Sequence, residues 1–397
     1  MRSGGTSDHR SRAICWPQGV AYKAHFMMLR RATKTTLFSF PKDHGQHPAF
    51  RTEWWYVAGW LSDEDGVEFA YHFTIFRRAL ERWSDLPLVG IALKSKRLRE
   101  STHVKRALAN MLESQNSRRI PVDGYVGHLS LTNLQAKRYH FFERGGISIL
   151  GVAGAHDARL DVWVKDWRLY EKEGLVHLRA ERHGCGLALT MRAQKDVLLH
   201  GEAGLSAKGE GPGYASYHYS LPSLVTSGAL TWEGKSHVVK GRSLMDREFG
   251  TAMLPRTVQG WDWFGLMLDN DCQVLVSVIR DATGNMSPCS GGTVSFPDGR
   301  CRRFFWNDIW LEERGSWTSP CTGAVYTTAW MVGIRTLDIE LSVTAVIPEH
   351  ELRSSTSATV DYWEGPVTAM GTMGSRLVSG FGHVELVGYA QSVGGKF

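Results

Sequence analysis

Two carboxylic acid residues two positions apart are the first candidates for chemistry in this sequence. Asp246 and Glu248 lie in the segment Leu244–Gly250, with Arg247 between them. In an extended strand alternate side chains point to the same face, so both carboxyl groups would lie on one side. Paired carboxylates in an apolar pocket tend to have separated pKa values, and one of them can then act as an acid near neutral pH. A structural ion-pair cluster at a domain junction is the alternative.

A second group of hydroxyl and imidazole side chains precedes this segment. Tyr217 and Tyr219 share one face of a predicted strand, and their phenols could line a pocket or donate protons. The other face carries Ser216, His218 and Ser220. Buried tyrosines that merely satisfy one hydrogen bond are the more frequent case, and an isolated histidine in such a strand is usually structural.

Glu53 stands directly before the aromatic run Trp54–Tyr56. A carboxyl group in that setting must face solvent, pair with a base such as Arg51, or serve a function, because burial without a partner raises its pKa. The candidate catalytic residues are therefore Glu53, Tyr217, Tyr219, Asp246 and Glu248.

Familiar catalytic and cofactor motifs do not occur in the sequence. It has no G-x-S-x-G elbow, no phosphate-binding P-loop, no H-E-x-x-H helix and no dinucleotide-binding glycine pattern. His44 and His47 could suggest a metal site, but packing within a loop explains them more simply. The six cysteines form no C-x-x-C pair, which favours free thiols in a reducing compartment. We predict neither a metal nor a cofactor.

The elements that must position these residues are mostly short β-strands separated by turn residues. In the segment Val67–Arg77, Phe69 and Phe73 alternate with His72 and Phe76. One face of this strand is therefore apolar, and the other mixes polar and aromatic side chains. In a small barrel such a mixed face can turn toward a ligand, and solvent exposure is the equal alternative.

Length and composition predict a folded protein of two domains. The 397 residues exceed what one core usually supports, and 43% of them are hydrophobic against 22% charged. We predict a flexible extension over residues 1–36, an N-terminal domain over 37–226 and a C-terminal domain over 227–397. One inserted amphipathic helix is predicted at about His103–Ser114. Such a helix packs on its own barrel more often than it covers a cavity mouth or a membrane surface.

Charge and hydropathy argue against two classes of partner. The net charge of +6 comes partly from a basic stretch at Lys94–Arg106, and a solvated face explains this stretch more simply than a nucleic-acid module. The N-terminal residues lack the apolar run of a secretion signal, and no uncharged stretch reaches the ~18 residues of a membrane span. We expect a cytoplasmic protein without stable membrane insertion.

Several segments resemble, in order, the signatures of the carotenoid 1,2-hydratase-like family, also described as hydroxyneurosporene synthase-like or AttH-like. They are Phe40–Gly45, Arg51–Val57, Gly127–Leu129, Tyr217–Ser220, Met245–Gly250, Gly260–Phe264 and Tyr362–Gly365. The resemblance extends over about Phe38–Tyr389. It implies two lipocalin-like β-domains packed together, with an apolar pocket at or near their junction.

The resemblance also implies two possible activities for this chain. Members of this superfamily resemble enzymes that add water to a terminal isoprenoid double bond. Relatives in natural-product pathways are similar to Diels–Alderase-type cyclases, which fold a polyene for an intramolecular cycloaddition. The chain departs from the family pattern at Leu244, Arg247 and Phe249, where Trp, His and Trp are more usual. Because of these departures, we do not assign this chain the substrate of any family member.

Our first hypothesis is a cofactor-independent cyclase of the Diels–Alderase type, acting on a hydrophobic polyene or polyketide in natural-product biosynthesis. A shaped aromatic pocket can hold the reacting groups in a near-attack geometry, and Tyr217, Tyr219 or a protonated Glu53 would donate a hydrogen bond to the dienophile. Hydration by Asp246 or Glu248 is the second hypothesis, with aromatic faces that stabilise the cation. A non-catalytic lipocalin-like carrier is the third. The side chains predicted to line the pocket are Trp55, His72, Phe76, Trp261, Trp263 and Trp363.

Overall fold

The computed structural model describes residues 29–80, 122–148, 151–354 and 360–396. In these residues the regular structure is almost entirely antiparallel β-strand, arranged in two curled sheets, and no α-helix occurs among them. The predicted all-β class with two lipocalin-like units is confirmed. The helix predicted at His103–Ser114 lies outside the described residues. Within the described part of the chain, no helix is long and apolar enough to span a bilayer.

The first sheet contains thirteen strands. They are β1 Thr52–Asp63, β2 Glu68–Leu80, β3 Val122–Asn133, β4 Arg138–Ile147, β5 Ala153–Ala155, β6 Asp161–Val164, β7 Trp167–Lys172, β8 Leu175–Arg182, β9 Cys185–Ala193, β10 Leu198–Leu199, β11 Leu205–Ala207, β12 Ala215–Trp232 and β13 Lys235–Gly250. Their order is β4-β3-β2-β1-β13-β12-β9-β8-β7-β6-β5, and β10 and β11 both pair with β12. The last strand in this order, β5, returns to contact β3 and β4, so the sheet curls into a barrel.

The second sheet contains ten strands. They are β14 Val258–Leu268, β15 Gln273–Asp281, β16 Gly291–Ser295, β17 Cys301–Phe305, β18 Ile309–Thr318, β19 Val325–Ile334, β20 Ile339–Ala345, β21 Glu351–Leu352, β22 Tyr362–Met373 and β23 Arg376–Val387. Their order is β17-β16-β15-β14-β23-β22-β20-β19-β18, with β21 paired to β22. Short 3-10 helices occur at Lys42–His44, Trp306–Asp308 and Arg335–Leu337.

The chain passes from the first sheet to the second between Gly250 and Val258. The boundary predicted at residues 226 and 227 lies inside β12, because β12 and β13 form a long hairpin within the first sheet. β13 also pairs with β1 along the whole length of β1, a contact between residues nearly 200 positions apart that no local pattern reveals. The division into two domains stays a prediction, and the change of sheet lies further along the chain.

Each sheet packs around its own hydrophobic core. In the first sheet the core includes Trp55, Val57, Phe73 and Ile75, all fully buried. These are alternate residues of β1 and β2, so the apolar face predicted for Val67–Arg77 points into the barrel. The second sheet encloses a separate core. Both interiors are occupied by packed side chains.

The opposite face of the central strands points toward the other sheet. Tyr56 and Ala58 of β1 and Leu244 of β13 pack against Trp263 and Leu275 of the second sheet. The rings of Tyr56 and Trp263 meet edge to face, with centroids 5.4 Å apart. On the mixed face of β2, His72 lies beside Glu364 of the second sheet and Phe76 lines the space between the sheets. This part of the face points neither into the lumen of its own barrel nor to solvent. It faces the second sheet, a third arrangement that the strand pattern alone does not distinguish.

Candidate active site

A cavity of about 130 Å³ lies between the two sheets. Its walls come from β1, β2, β3, β12 and β13 on one side and from β14, β15, β22 and β23 on the other. Side-chain alternation decides which residues reach it. On β1, Thr52, Trp54 and Tyr56 line the cavity, whereas Glu53 and Trp55 point away from it. The predicted pocket at the junction of the two sheets is thus present.

Aromatic rings form much of the cavity wall. Three of the predicted pocket residues, Phe76, Trp261 and Trp263, line it, and Trp54 joins them. The rings of Trp54 and Phe76 lie 6.3 Å apart between centroids. Aromatic walls provide a large apolar surface and π faces that attract positive charge. The cavity is therefore suited to an apolar ligand that develops a cation.

Asp246 contributes a carboxylate to this apolar wall. Its Oδ2 lies 2.8 Å from Nε2 of His218, and its Oδ1 accepts a hydrogen bond from the hydroxyl of Ser220. Burial works to raise the pKa of Asp246, but the imidazole of His218 and the other donors outweigh it and hold the pKa below the usual value. Asp246 is therefore ionised at neutral pH.

Glu248 is the second carboxylate on the same face of β13. Nζ of Lys208 lies 2.9 Å from its Oε1, and the hydroxyl of Ser216 also donates to it. His218 lies between the two acids, since its Nδ1 is 3.8 Å from Oε2 of Glu248. The imidazole of His218 is thus flanked by two carboxylates.

Glu385 on β23 supplies a third carboxyl group from the opposite sheet. The indole N–H of Trp261 donates to its Oε2 at 2.7 Å. Burial raises the pKa of Glu385 to about 7, and the negative charges of Glu248 and Asp246 act in the same direction. At neutral pH the cavity therefore holds an acid that is about half protonated opposite an ionised one.

Three side chains in the first sheet have the composition of a metal site. The ligand atoms of His200, His218 and Asp246 lie within 4.8 Å of one another. Each of these atoms already has a hydrogen-bond partner, since Nε2 of His200 lies 2.7 Å from the hydroxyl of Ser220 and His218 bonds to Asp246. Burial lowers the pKa of His200 to about 3, so its imidazole is neutral. The set is satisfied without an ion, and the absence of a metal stays a prediction.

Several residues predicted for the site lie elsewhere. The hydroxyl groups of Tyr217 and Tyr219 donate to the backbone carbonyls of Lys34 and Asp43, away from the cavity. Trp55 belongs to the first core and Trp363 to the second. His72 is buried beside Glu364 of the second sheet and does not reach the cavity wall. These positions follow from strand registers that the sequence does not specify.

Glu53 also lies outside the cavity, in a buried ion-pair cluster. Its carboxylate is bonded by Nη1 of Arg77 at 2.9 Å and by the guanidinium of Arg247. The ring of Trp55 lies 3.9 Å below the same Arg247 group. Burial opposes ionisation of Glu53, but the two guanidinium groups outweigh it, and the pKa lies well below its usual value. Glu53 is thus ionised and paired, which is one of the alternatives its sequence context allowed.

We expect Glu53→Gln to lower the free energy of unfolding by about 3–5 kcal/mol, the usual cost of breaking a buried ion pair. Arg247 would keep only neutral acceptors among the described residues. Urea denaturation at neutral pH measures the change. Because the folded pKa lies below the unfolded one, the stabilisation by Glu53 is lost as pH falls, and the variant should approach the wild type in acid. The exposed pair formed by Glu233 and Arg138 is the control, and Glu233→Gln should leave the midpoint unchanged.

His218, Lys208 and Glu385 are the cavity residues that the sequence interpretation missed as functional. His218 was visible beside the two tyrosines, but an isolated histidine in a strand favours a structural role. Lys208 lies in a loop and Glu385 in an ordinary alternating strand. The available signal for Glu385 was an acid between two apolar residues, Val384 and Leu386.

A family model described as AttH-like matches residues 31–89 and 99–389 of the chain. An AttH-like protein from Nitrosomonas europaea has a similar solved structure, with a TM-score of 0.75 and 26% identity, covering 91% of this chain and 100% of that one. The structure of kievitone hydratase from Nectria haematococca has a TM-score of 0.64 and 17% identity, covering 92% of this chain and 99% of that one. The second likeness concerns the fold alone.

In sequence, the chain is also similar to kievitone hydratase from Fusarium solani subsp. phaseoli. The two are 24% identical over 205 residues, which is 50% of this chain and 56% of that protein. The match therefore spans about half the length of each protein.

Proposed function

Because the chain belongs to the AttH-like family, we propose that it is an enzyme of the hydratase type, which adds water to a terminal isoprenoid double bond of an apolar small molecule. The observation that carries this proposal is the cavity itself, where a protonated Glu385 and an ionised Asp246 line the same aromatic walls. Alkene hydration needs an acid to protonate carbon and a base to deprotonate water. Glu385 supplies the acid, and His218, held by Asp246, supplies the base.

The proposed reaction begins at Glu385. Its proton goes to the less substituted carbon of the double bond, and the π electrons form the new C–H bond. The more substituted carbon becomes a cation, and Glu385 becomes a carboxylate. The faces of Trp54, Trp261 and Trp263 lie around the cavity, and each cation–π contact stabilises the cation by roughly 0.5–2 kcal/mol.

Water completes the proposed reaction on the side of the first sheet. An oxygen lone pair of water forms the C–O bond, and the released proton passes to His218. Asp246 orients this imidazole and, with Glu248, stabilises the imidazolium that forms. Return of the proton to Glu385 restores both groups, so the net change is the addition of one water molecule.

A Diels–Alderase-type cyclase is the second candidate, and the aromatic walls favour it. Shape and orientation alone can accelerate a cycloaddition. The three donors predicted for that reaction, Glu53, Tyr217 and Tyr219, lie outside the cavity, which weakens this candidate. A cyclase, like a non-catalytic carrier, also gives no role to the charged groups buried in the wall.

The proposed mechanism predicts an asymmetric dependence of kcat/KM on pH. Glu385 must be protonated, so activity should be full well below pH 7, half-maximal at pH about 7 and fall about tenfold for each pH unit above that. Initial rates across the pH range test this expectation. A constant rate through pH 9 would contradict it.

The direct test of function uses kievitone, the compound in the name of the relatives, and a linear carotenoid such as lycopene. Each is incubated with the purified protein in water enriched in oxygen-18, and the products are separated and weighed by mass spectrometry. A product heavier by one labelled water supports hydration. A product of unchanged mass and new retention time supports the cyclase, and tight binding without conversion supports a carrier.

A further inference from the structure

A second buried carboxyl group lies beside Glu385, and the mechanism above does not use it. Glu364 of β22 is directly opposite Glu385 of β23 in the antiparallel ladder. Residues in this relation lie on the same face, with Cβ atoms about 4.5–5.5 Å apart. Only 1% of the surface of Glu364 is exposed. Two carboxyl groups therefore adjoin in the space between the sheets.

The surroundings of this pair hold Glu364 in its protonated form. A basic side chain, His72 of β2, contacts the pair, and its Nδ1 lies 3.4 Å from Oε1 of Glu364. Burial and three neighbouring histidines lower the pKa of His72, so its imidazole is neutral. Burial, together with the charge on Glu385, raises the pKa of Glu364 well above its usual value. The other groups that act electrostatically on the pair are Tyr56 of β1, Asp246 and Glu248 of β13, Tyr362 of β22 and Lys208.

The carboxyl group of Glu364 also has unused hydrogen-bonding capacity. Its Oε1 has no hydrogen-bond partner among the described residues. The hydroxyl of Tyr56 interacts with the same carboxyl group and works to lower its pKa, but burial outweighs this effect. Buried polar groups without partners are rare and call for an explanation. A partner that forms only during the reaction would provide one.

We propose that Glu364 is a positioning residue that activates Glu385: its O–H donates a hydrogen bond to the carboxylate that Glu385 becomes when it gives up its proton. Hydrogen bonds between a hydroxyl donor and a charged oxygen are about twice as strong as neutral ones. Stabilisation of the conjugate base makes Glu385 a stronger acid, and protonation of an alkene carbon demands one. Glu364 keeps its own proton throughout. This inference rests on the proposed function.

The test compares Glu364→Leu, which removes the donor, with Glu364→Gln, whose amide is a weaker one. The first readout is the infrared C=O band of protonated Glu385, titrated against pH and assigned by its absence in Glu385→Gln. We expect Glu364→Leu to raise the titration midpoint by about one pH unit and Glu364→Gln to raise it less. The second readout is kcat/KM with kievitone or lycopene, which should fall about tenfold in Glu364→Leu while its alkaline limb moves to higher pH.

Glu351→Gln is the matched control, because Glu351 is a buried glutamate of the same sheet that accepts hydrogen bonds from Ser319 and Tyr326, away from the cavity. It should leave the band and the alkaline limb unchanged. If the titration midpoint of Glu385 is unchanged in both Glu364 variants, Glu364 contributes only packing and the inference is overturned. A downward shift would mean that Glu364 is ionised, which also overturns the inference. If Glu385→Gln keeps full activity, Glu385 is not the acid of the proposed function. That result concerns the proposed function and is distinguishable from the two outcomes for the Glu364 variants.

Discussion

Asp246→Asn is expected to reduce kcat/KM for hydration by about 10³-fold, because the base His218 loses the carboxylate that orients it. Asparagine has nearly the same shape and can still accept a hydrogen bond from His218. It cannot carry the charge that orients this imidazole and stabilises the imidazolium. Rates of water addition to kievitone or lycopene, measured with the variant and the wild type at equal folded concentration, provide the comparison.

Asp63→Asn is the control for Asp246→Asn. Asp63 also accepts a hydrogen bond from a buried histidine, because its Oδ2 lies 2.7 Å from Nδ1 of His237, but it does not line the cavity. The control should lose stability and keep its activity per folded molecule. A cyclase that relies on shape would lose only part of its rate in Asp246→Asn. Unchanged hydration in that variant would exclude Asp246 from the mechanism.

Glu385→Gln is expected to reduce the same rate by about 10²–10⁴-fold, because glutamine has no proton to give to carbon. The variant should also lose the alkaline limb of any residual activity. Glutamine can still accept the hydrogen bond from the indole of Trp261, so the shape of the cavity should be preserved. Ligand binding, measured by quenching of tryptophan fluorescence with lycopene, should therefore change little.

The same substitution should stabilise the fold at alkaline pH. Glu385 has a pKa of about 7 in the folded protein against an ordinary value of 4.5. The unfolded chain therefore loses this proton first, and stability falls as pH rises between the two values, by up to about 3 kcal/mol. Glutamine removes this loss. At pH 8 the inactive variant should unfold at a higher urea concentration than the wild type, and at pH 4 the difference should vanish.

The all-β fold and the position of the cavity could be predicted from the sequence. Alternation along β1 and β2 and the family signatures were sufficient for these, and Asp246 and Glu248 lie on one face of β13 as their spacing requires. The side of each strand that meets the cavity was not predictable. For β1 the pattern makes Glu53 conspicuous, yet its neighbours Trp54 and Tyr56 reach the cavity while Glu53 pairs with two arginines.

The missed residues share a physical cause. Glu385 becomes an acid only because folding buries it beneath Trp261 and opposite Asp246, which lie in strands more than 100 positions away. Glu364 becomes its neighbour through the register of β22 and β23. Protonation states depend on such long-range placement, and a single sequence gives the residue type without the environment.

The alternation along β1 also bears on how proteins of this architecture can diversify. One set of positions, including Trp55 and Val57, maintains the packed interior of the barrel, and the interleaved set, including Trp54 and Tyr56, shapes the cavity. Single substitutions in the second set can alter ligand preference while the first set preserves the fold. An insertion or deletion of one residue would exchange the two sets. We therefore expect proteins of this architecture that differ in activity to differ by point substitutions within strands. Differences in length should lie in their loops.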